Sequence, residues 1–323
     1  MDLICADVGG THARFAIAAI APDGRISVAD PVTVETRDHA SFESAWERFA
    51  DQWTGAMPRA AAIAVAGPVG GDAIACTNSP WVIRPAAISA RFGIERLTII
   101  NDFGAIAHAV ACLGDDAFTH LAGPDAPLPA AGTITVVGPG TGLGVAHLWR
   151  DGAGGYRVQP TEGGHIDFAP LDALEDAILA RLRQRHRRVS AERVVAGPAI
   201  VDIYETLAGI EGRAIVPADD RTVWERGIGG TDDLAVAAVE RFCRSLGSVA
   251  GDLALAHGAS GVVIAGGLGL RLRDILPRSG FADRFRAKGR YEAMMAGLPV
   301  KLVTHPQPGL LGAAAAFAQE HAA

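Results

Sequence analysis

Two apolar runs, each broken by a turn rich in glycine and threonine and then resumed, constrain this chain more than any other feature. Leu3-Ile4-Cys5-Ala6-Asp7-Val8 ends in Gly9-Gly10-Thr11, and Arg14-Phe15-Ala16-Ile17-Ala18 resumes it. Thr133-Ile134-Thr135-Val136-Val137 is followed by Gly138-Pro139-Gly140-Thr141-Gly142-Leu143-Gly144 and then by Val145-Ala146-His147-Leu148. Each reads as a β-hairpin with a glycine-rich turn. Recurrence of the unit after about 130 residues predicts two similar domains in tandem. The length agrees, since 323 residues exceed the usual span of one domain. The Pro- and Ala-rich stretch LAGPDAPLPAAG, residues 121–132, fits a connector. Further strands are predicted over 60–66, 97–100, 262–265 and 300–304, and helices over 42–53, 171–188, 233–257 and 310–320. Strands and helices intermix throughout, which makes the class α/β.

Bulk properties exclude several functions. Hydrophobic residues at 49% and charged residues at 20% describe an ordinary globular protein. A net charge of -7 argues against non-specific nucleic-acid binding. Cys5, Cys76, Cys112 and Cys243 lie far apart, with no C-x-x-C pair and no His at ligand spacing. Buried thiols in a reducing compartment are therefore expected, and neither a disulfide framework nor a zinc site. Met1-Asp2 opens directly into an apolar strand without a basic leader. The longest charge-free run, residues 126–149, is interrupted by Pro127, Pro129, Pro139 and five glycines, so it does not read as a membrane-spanning helix. A cytoplasmic location with no membrane partner is expected.

Three glycine turns follow strands: residues 9–11, residues 138–144, and Gly266-Gly267 after 262–265. Glycine lets a backbone approach an anion closely enough for successive N–H groups to face phosphate oxygens, which points to nucleotide binding. Neither G-x-x-x-x-G-K-[ST] nor G-x-G-x-x-G is present, because Leu143 takes the sixth position of the latter. Asp7, at the end of the first strand, can orient hydrated Mg²⁺ against ATP phosphates; capping of the turn is the alternative. Asn101-Asp102 follows the strand 97–100. An Asp there can accept a proton from a substrate hydroxyl while the amide holds that hydroxyl, although Asn-Asp is also a common turn dipeptide. Glu162-Gly163-Gly164-His165 places a carboxylate and an imidazole on one loop, suited to a polyol, to half of a metal site, or to no more than a loop His. Ser190-Ala191-Glu192-Arg193 begins like a helix N-terminus, with Glu192 open to a role as a first-turn acid. Arg181, Arg183, Arg185, Arg187 and Arg188 close the helix at 171–188, where cations complement the helix end without any ligand.

Taken together these residues resemble the bacterial glucokinase family of the hexokinase and actin-like ATPases, the branch without a zinc motif. The matching segments are LICADVGGTHARFAI, CTNSPW, IINDFGAIAHA, VVGPGTGLGVAHL, PTEGGHIDFAP, VSAERVVAGP, GVVIAGGL and PGLLGAAAAF. They run in family order from one end of the chain to the other. The resemblance implies two actin-like (ribonuclease H-like) domains flanking a cleft: a small one of residues 1–112 plus 306–323 and a large one of residues 113–305. It implies ATP with Mg²⁺ as phosphoryl donor and D-glucose as acceptor. Asp102 matches the catalytic base. Asn78, Asn101, Asp102, Glu162, His165 and Glu192 match the sugar ligands. Ala6, Asp7, Val8, Gly9, Gly10 and Thr11 match the first phosphate segment; Gly138, Gly140, Thr141, Gly142 and Gly144 match the second. Gly266 and Gly267 match the adenosine segment. His12 and Pro139 depart from the family pattern, which more often has Asn and Ala there.

The implied reaction is ATP-dependent phosphorylation of D-glucose to glucose 6-phosphate, the first step of glycolysis. Its transition state is loose and anionic, so alignment and charge stabilisation dominate. The nearest alternative is a kinase of the same fold acting on fructose, mannose or an N-acetylhexosamine. A sugar-sensing regulator is disfavoured, because such proteins are expected to carry a DNA-binding helix pair ahead of the first phosphate strand, and here that strand begins at residue 3. Oligomeric state is not legible in the sequence; a homodimer is one candidate.

Overall fold

A computed structural model of the chain describes residues 1–77 and 79–321. The chain divides into two compact units, Met1–Gly114 together with the segment from His305, and Asp115–Thr304. In the first unit the elements run β1 (Asp2–Val8), β2 (His12–Ile20), β3 (Ile26–Val28), β4 (Val32–Glu35), α1 (Phe42–Ala50), β5 (Ala60–Val65), β6 (Ile74–Ala75), β7 (Val82–Ile83), α2 (Pro85–Phe92), β8 (Arg96–Asn101) and α3 (Asp102–Cys112). Its sheet has the order β3-β2-β1-β5-β8, with β4 also on β2. The β1–β2 pair is antiparallel, whereas β1–β5 and β5–β8 are parallel.

Both faces of this sheet are covered, which is why β1 and β5 read as unbroken apolar runs. Ile4, Ala6 and Val8 pack on one face with Phe15, Phe42, Trp46 and Phe49; Leu3 and Cys5 pack on the other with Ala60, Ala62, Ala64, Leu310 and Phe317. The second face belongs to α3 and to the C-terminal helix Pro308–His321. Gly312 lets those two helices touch, since a Cβ there would overlap the Ala105 carbonyl oxygen.

The second unit contains β9 (Phe118–Ala122), β10 (Ala131–Pro139), β11 (Leu143–Asp151), β12 (Tyr156–Thr161), α4 (Ala173–Arg183), α5 (Ala199–Ile210), α6 (Asp220–Gly229), α7 (Asp233–His257), β13 (Ala259–Ile264), α8 (Gly266–Arg271), α9 (Phe281–Arg286), α10 (Glu292–Ala296) and β14 (Val300–Val303). The sheet order is β12-β11-β10-β13-β14-β9. Again an antiparallel hairpin, β10–β11, is followed by parallel pairing of β10 with β13 and of β13 with β14. This shared plan makes the molecule an α/β protein built from two actin-like units in tandem. Among the described residues, no helix is long and apolar enough to cross a membrane.

The stretch expected as a connector lies inside the second unit. Its first residues, Leu121 and Ala122, finish β9, which pairs antiparallel with β14 at the edge of the sheet. The helix expected over 171–188 ends at Arg183, and the Arg-rich remainder folds back as a loop.

Candidate active site

In the first unit, β1 delivers Asp7 to the sheet end. The carboxylate lies 3.5 Å from the Arg14 guanidinium, across the hairpin. A Cβ on Gly309, near the start of the C-terminal helix, would come within 2.7 Å of it. Burial pushes the Asp7 carboxyl above its ordinary value, with Arg14 acting in the opposite direction. Gly9 N–H donates to the His12 carbonyl at 2.9 Å, closing the turn. Thr36 secures it from outside, donating from Oγ1 to Gly10 O at 2.7 Å and from its amide to Thr11 O at 2.9 Å. Gly10, Thr11 and His12 line a cavity of about 340 Å³ with Glu35, Thr36 and Arg37. The side chains of Ala6 and Val8 belong to the core instead, so only their backbones are open to a ligand role.

Asn101 ends β8 and Asp102 begins α3. Asn101 is the N-cap of that helix: its Oδ1 accepts the amides of Phe103 at 2.9 Å and Gly104 at 3.0 Å. Its Nδ2 donates to Gly67 O at 3.1 Å. The sequence reading did not anticipate this capping role, although an Asn immediately before a helical run is its usual signal. Asp102 Oδ1 accepts the Phe103 amide at 2.9 Å, which fixes the carboxylate at the head of the helix. Asn78 lies outside the described residues.

In the second unit the glycine turn is tighter than its sequence suggests. Gly138 pairs with Gly144 and Pro139 with Leu143, so only Gly140-Thr141-Gly142 form the tip. The Gly140 amide donates to Gly142 O, and Gly140 O accepts the Gly197 amide, both at 2.8 Å. Gly266 sits against this hairpin at φ 81°, and a Cβ there would lie 2.9 Å from Pro139 O; both features demand glycine. Gly267 has open space beside it.

Glu162, Gly163, Gly164 and His165 form a short 3₁₀ turn after β12. Gly164 allows the turn to rest on β11, because any side chain would overlap the Leu143 carbonyl oxygen. The segment 188–191 staples it from the other side. Ala191 N–H donates to Ile166 O at 2.8 Å, and Phe168 N–H donates to Val189 O at 3.1 Å. Arg188 donates to the His165 carbonyl at 2.8 Å and to Asp167 at 2.7 Å. The result places His165 Nε2 4.0 Å from carboxylate oxygens of both Glu162 and Glu192. Glu192 is the first-turn acid of a helical turn that stops at once. It lies in a three-residue 3₁₀ turn, and its Oε2 accepts the Leu143 amide at 2.9 Å.

The structure thus gathers Glu162, His165 and Glu192 beside the tip of the second hairpin. Arg188 is a further residue of this cluster, concealed in the sequence among its arginine neighbours. Arg181 and Arg185 are engaged by Asp202, and Arg181 also by Glu205. Among the described residues no group of three or more His, Cys, Asp or Glu is disposed to hold a metal ion.

A protein family model described as Glucokinase matches residues 4–320. A glucokinase of Zymomonas mobilis is 55% identical over 321 residues, spanning 99% of each chain. This chain belongs to the glucokinase family. A glucokinase of Paramagnetospirillum magneticum is 39% identical over 316 residues, covering 97% of this chain and 96% of that one. Among solved structures, a glucokinase from an Antarctic psychrotroph superimposes with a TM-score of 0.85 at 33% identity, over 98% of this chain and 99% of the other.

Proposed function

We infer that the chain transfers the γ-phosphate of ATP to the 6-hydroxyl of D-glucose, giving glucose 6-phosphate and ADP, the entry reaction of glycolysis. The observation that carries this reading is the trio Glu162, His165 and Glu192, set one hydrogen bond away from a glycine turn suited to phosphate.

On the first unit, Asp102 acts as general base and accepts the proton of the 6-hydroxyl as its oxygen attacks the γ-phosphorus. The bond from that phosphorus to the bridging oxygen of ADP breaks as the new one forms. Positioned proton transfer of this kind contributes about 10²–10⁴ in rate. Asn78 and Asn101 are assigned to the sugar, Asn101 through the amide hydrogen not used on Gly67. On the second unit, Glu162 and Glu192 accept from sugar hydroxyls and His165 bonds a third. A sugar lacking one of these hydroxyls leaves a desolvated polar group unpaired, and this is the physical basis of strong discrimination.

Gly140 and Leu143 already use their amides within the protein. The amides of Thr141 and Gly142, with those of Gly10 and Thr11 on the first unit, are therefore assigned to phosphate oxygens. Gly266 and Gly267 are assigned to the adenosine. Asp7 suits Mg²⁺: a single desolvated carboxylate matches an ion that keeps most of its waters and takes the rest of its ligands from phosphate. Bound there with ATP, the ion would offset phosphate charge. The reaction is assigned to the cytoplasm, where ATP is made and thiols such as Cys5, Cys76 and Cys243 stay reduced in their buried sites.

Phosphorus-31 NMR of the chain with ATP, Mg²⁺ and D-glucose tests the assignment. A phosphomonoester signal growing in step with ADP is expected. ADP appearing with inorganic phosphate alone would contradict it.

A further inference from the structure

Glu192 makes a contact that sugar binding does not require. Its Oε1 faces the polyol cluster, 4.0 Å from His165 Nε2, while Oε2 accepts the Leu143 amide at 2.9 Å. Leu143 is the first residue after the Gly140-Thr141-Gly142 tip. A Cβ on Gly142 would lie 2.5 Å from Oε2, so glycine at 142 is what admits the carboxylate. The Glu192 side chain is only 25% exposed, which restricts it to this reach. The same segment supplies a second hold on the tip, the 2.8 Å bond from Gly197 N–H to Gly140 O. Trp224 Nε1 in turn fixes Gly197 by donating to its carbonyl at 2.8 Å.

We propose that Glu192 is the positioning residue of the second phosphate turn and that, through its two oxygens, it couples sugar occupancy to nucleotide affinity. This rests on the sugar-phosphorylating reading above and extends it. A hydroxyl that engages Oε1 orients the carboxylate, and the orientation of Oε2 sets where the Leu143 amide and the tip stand. Such coupling is reciprocal between the two ligands.

The test is calorimetric titration of AMPPNP with Mg²⁺ into wild type, Glu192→Ala and Glu192→Gln, each with and without saturating glucose. In wild type, glucose is expected to tighten AMPPNP binding by about fivefold or more, the usual lower range of such coupling. Glu192→Ala should weaken AMPPNP about tenfold without glucose, the effect of one lost hydrogen bond, and erase the enhancement. Glu192→Gln retains an amide oxygen that can accept the Leu143 N–H, so AMPPNP alone should bind within about threefold of wild type. Glucose binding to that variant should fall further, because its NH₂ cannot accept from a hydroxyl.

An AMPPNP affinity in Glu192→Ala equal to wild type, with loss confined to glucose, overturns the proposal and leaves the sugar reading intact. The expected AMPPNP pattern in a chain that phosphorylates no sugar overturns the sugar reading and leaves the positioning role intact. Should circular dichroism show Glu192→Ala unfolded, Gly142→Ala decides, since its methyl displaces Oε2 while keeping the carboxylate. Wild-type AMPPNP affinity in that variant overturns the proposal.

Discussion

Asn101 holds the junction of β8 and α3 with three hydrogen bonds, two accepted from helix amides and one donated to Gly67. Its neighbour Asp102 can serve as a base only if that junction keeps its shape. Asn101→Ala should therefore lower stability by about 1–2 kcal/mol, as loss of an N-cap does, and reduce turnover as well. Calorimetric melting and a rate assay on one preparation would show both effects, and an unchanged melting temperature would deny the capping role. Asp102→Ala behaves differently. Turnover should fall at least about a hundredfold while glucose affinity stays within about tenfold, because a base acts in the transition state. A variant retaining more than about a tenth of wild-type kcat would remove Asp102 from that role. Both residues stood out in the sequence as a dipeptide at a strand end. The capping geometry was less visible, because it depends on a helix whose start the reading did not place. The loop-holding bond of Glu192 was out of reach for a different reason: its partner Leu143 is 49 residues away.

Elements defined by local pattern were legible. Both hairpins, β5, β8, β13, β14, α1, α7 and the C-terminal helix fall where apolar runs or helical period predict them. Residues 123–130 form the loop that Pro and Ala signal, but the stretch was misread as a link between domains, because pairing of β9 with the distant β14 puts its first residues in the sheet of the second unit. The close contact of α3 with the C-terminal helix shows why the run LLGAAAAF is so small in volume. Gly312→Ala forces those helices apart and should destabilise the protein by about 1–3 kcal/mol, the range seen for overpacking; an unchanged urea midpoint would contradict the contact. At the other sheet, His257 closes α7 and its Nδ1 lies 2.9 Å from Thr135 Oγ1, beside the His147 ring. Burial lowers both imidazoles, and proximity to His147 lowers His257 further. Burial pushes His108 in α3 down to about 4. A base held neutral in the fold takes up protons more readily once unfolded. Stability is then full above the unfolded value of 6.5 and declines as pH falls towards 4. Urea midpoints measured across that range should drop, with a shallower decline in His257→Gln; a midpoint that rises on acidification would contradict the burial argument.

At the scale of the whole molecule, one plan is used twice: an antiparallel hairpin with a glycine turn, continued by parallel strands. On the proposed assignment of the two turns to phosphate, the repeat lets a chain of net charge -7 handle a polyanionic substrate. Backbone amides supply local positive potential that the net charge does not, and they need no basic side chain at the turn. It also made the two turns legible, since each carries a polar residue close by in sequence: Asp7 before the first and Thr141 within the second. What the repeat leaves undetermined is the acceptor, which the proposed function assigns to three side chains, Glu162, His165 and Glu192, gathered by stapled loops. The acceptor is therefore the most direct test of the account. Initial rates with ATP and Mg²⁺ should be measured for D-glucose, D-mannose, D-fructose and N-acetyl-D-glucosamine under identical conditions. A kcat/KM for D-glucose at least about tenfold above that for every other sugar is expected, because each altered hydroxyl leaves a site group unpaired. Equal or faster phosphorylation of any of the other three would contradict it.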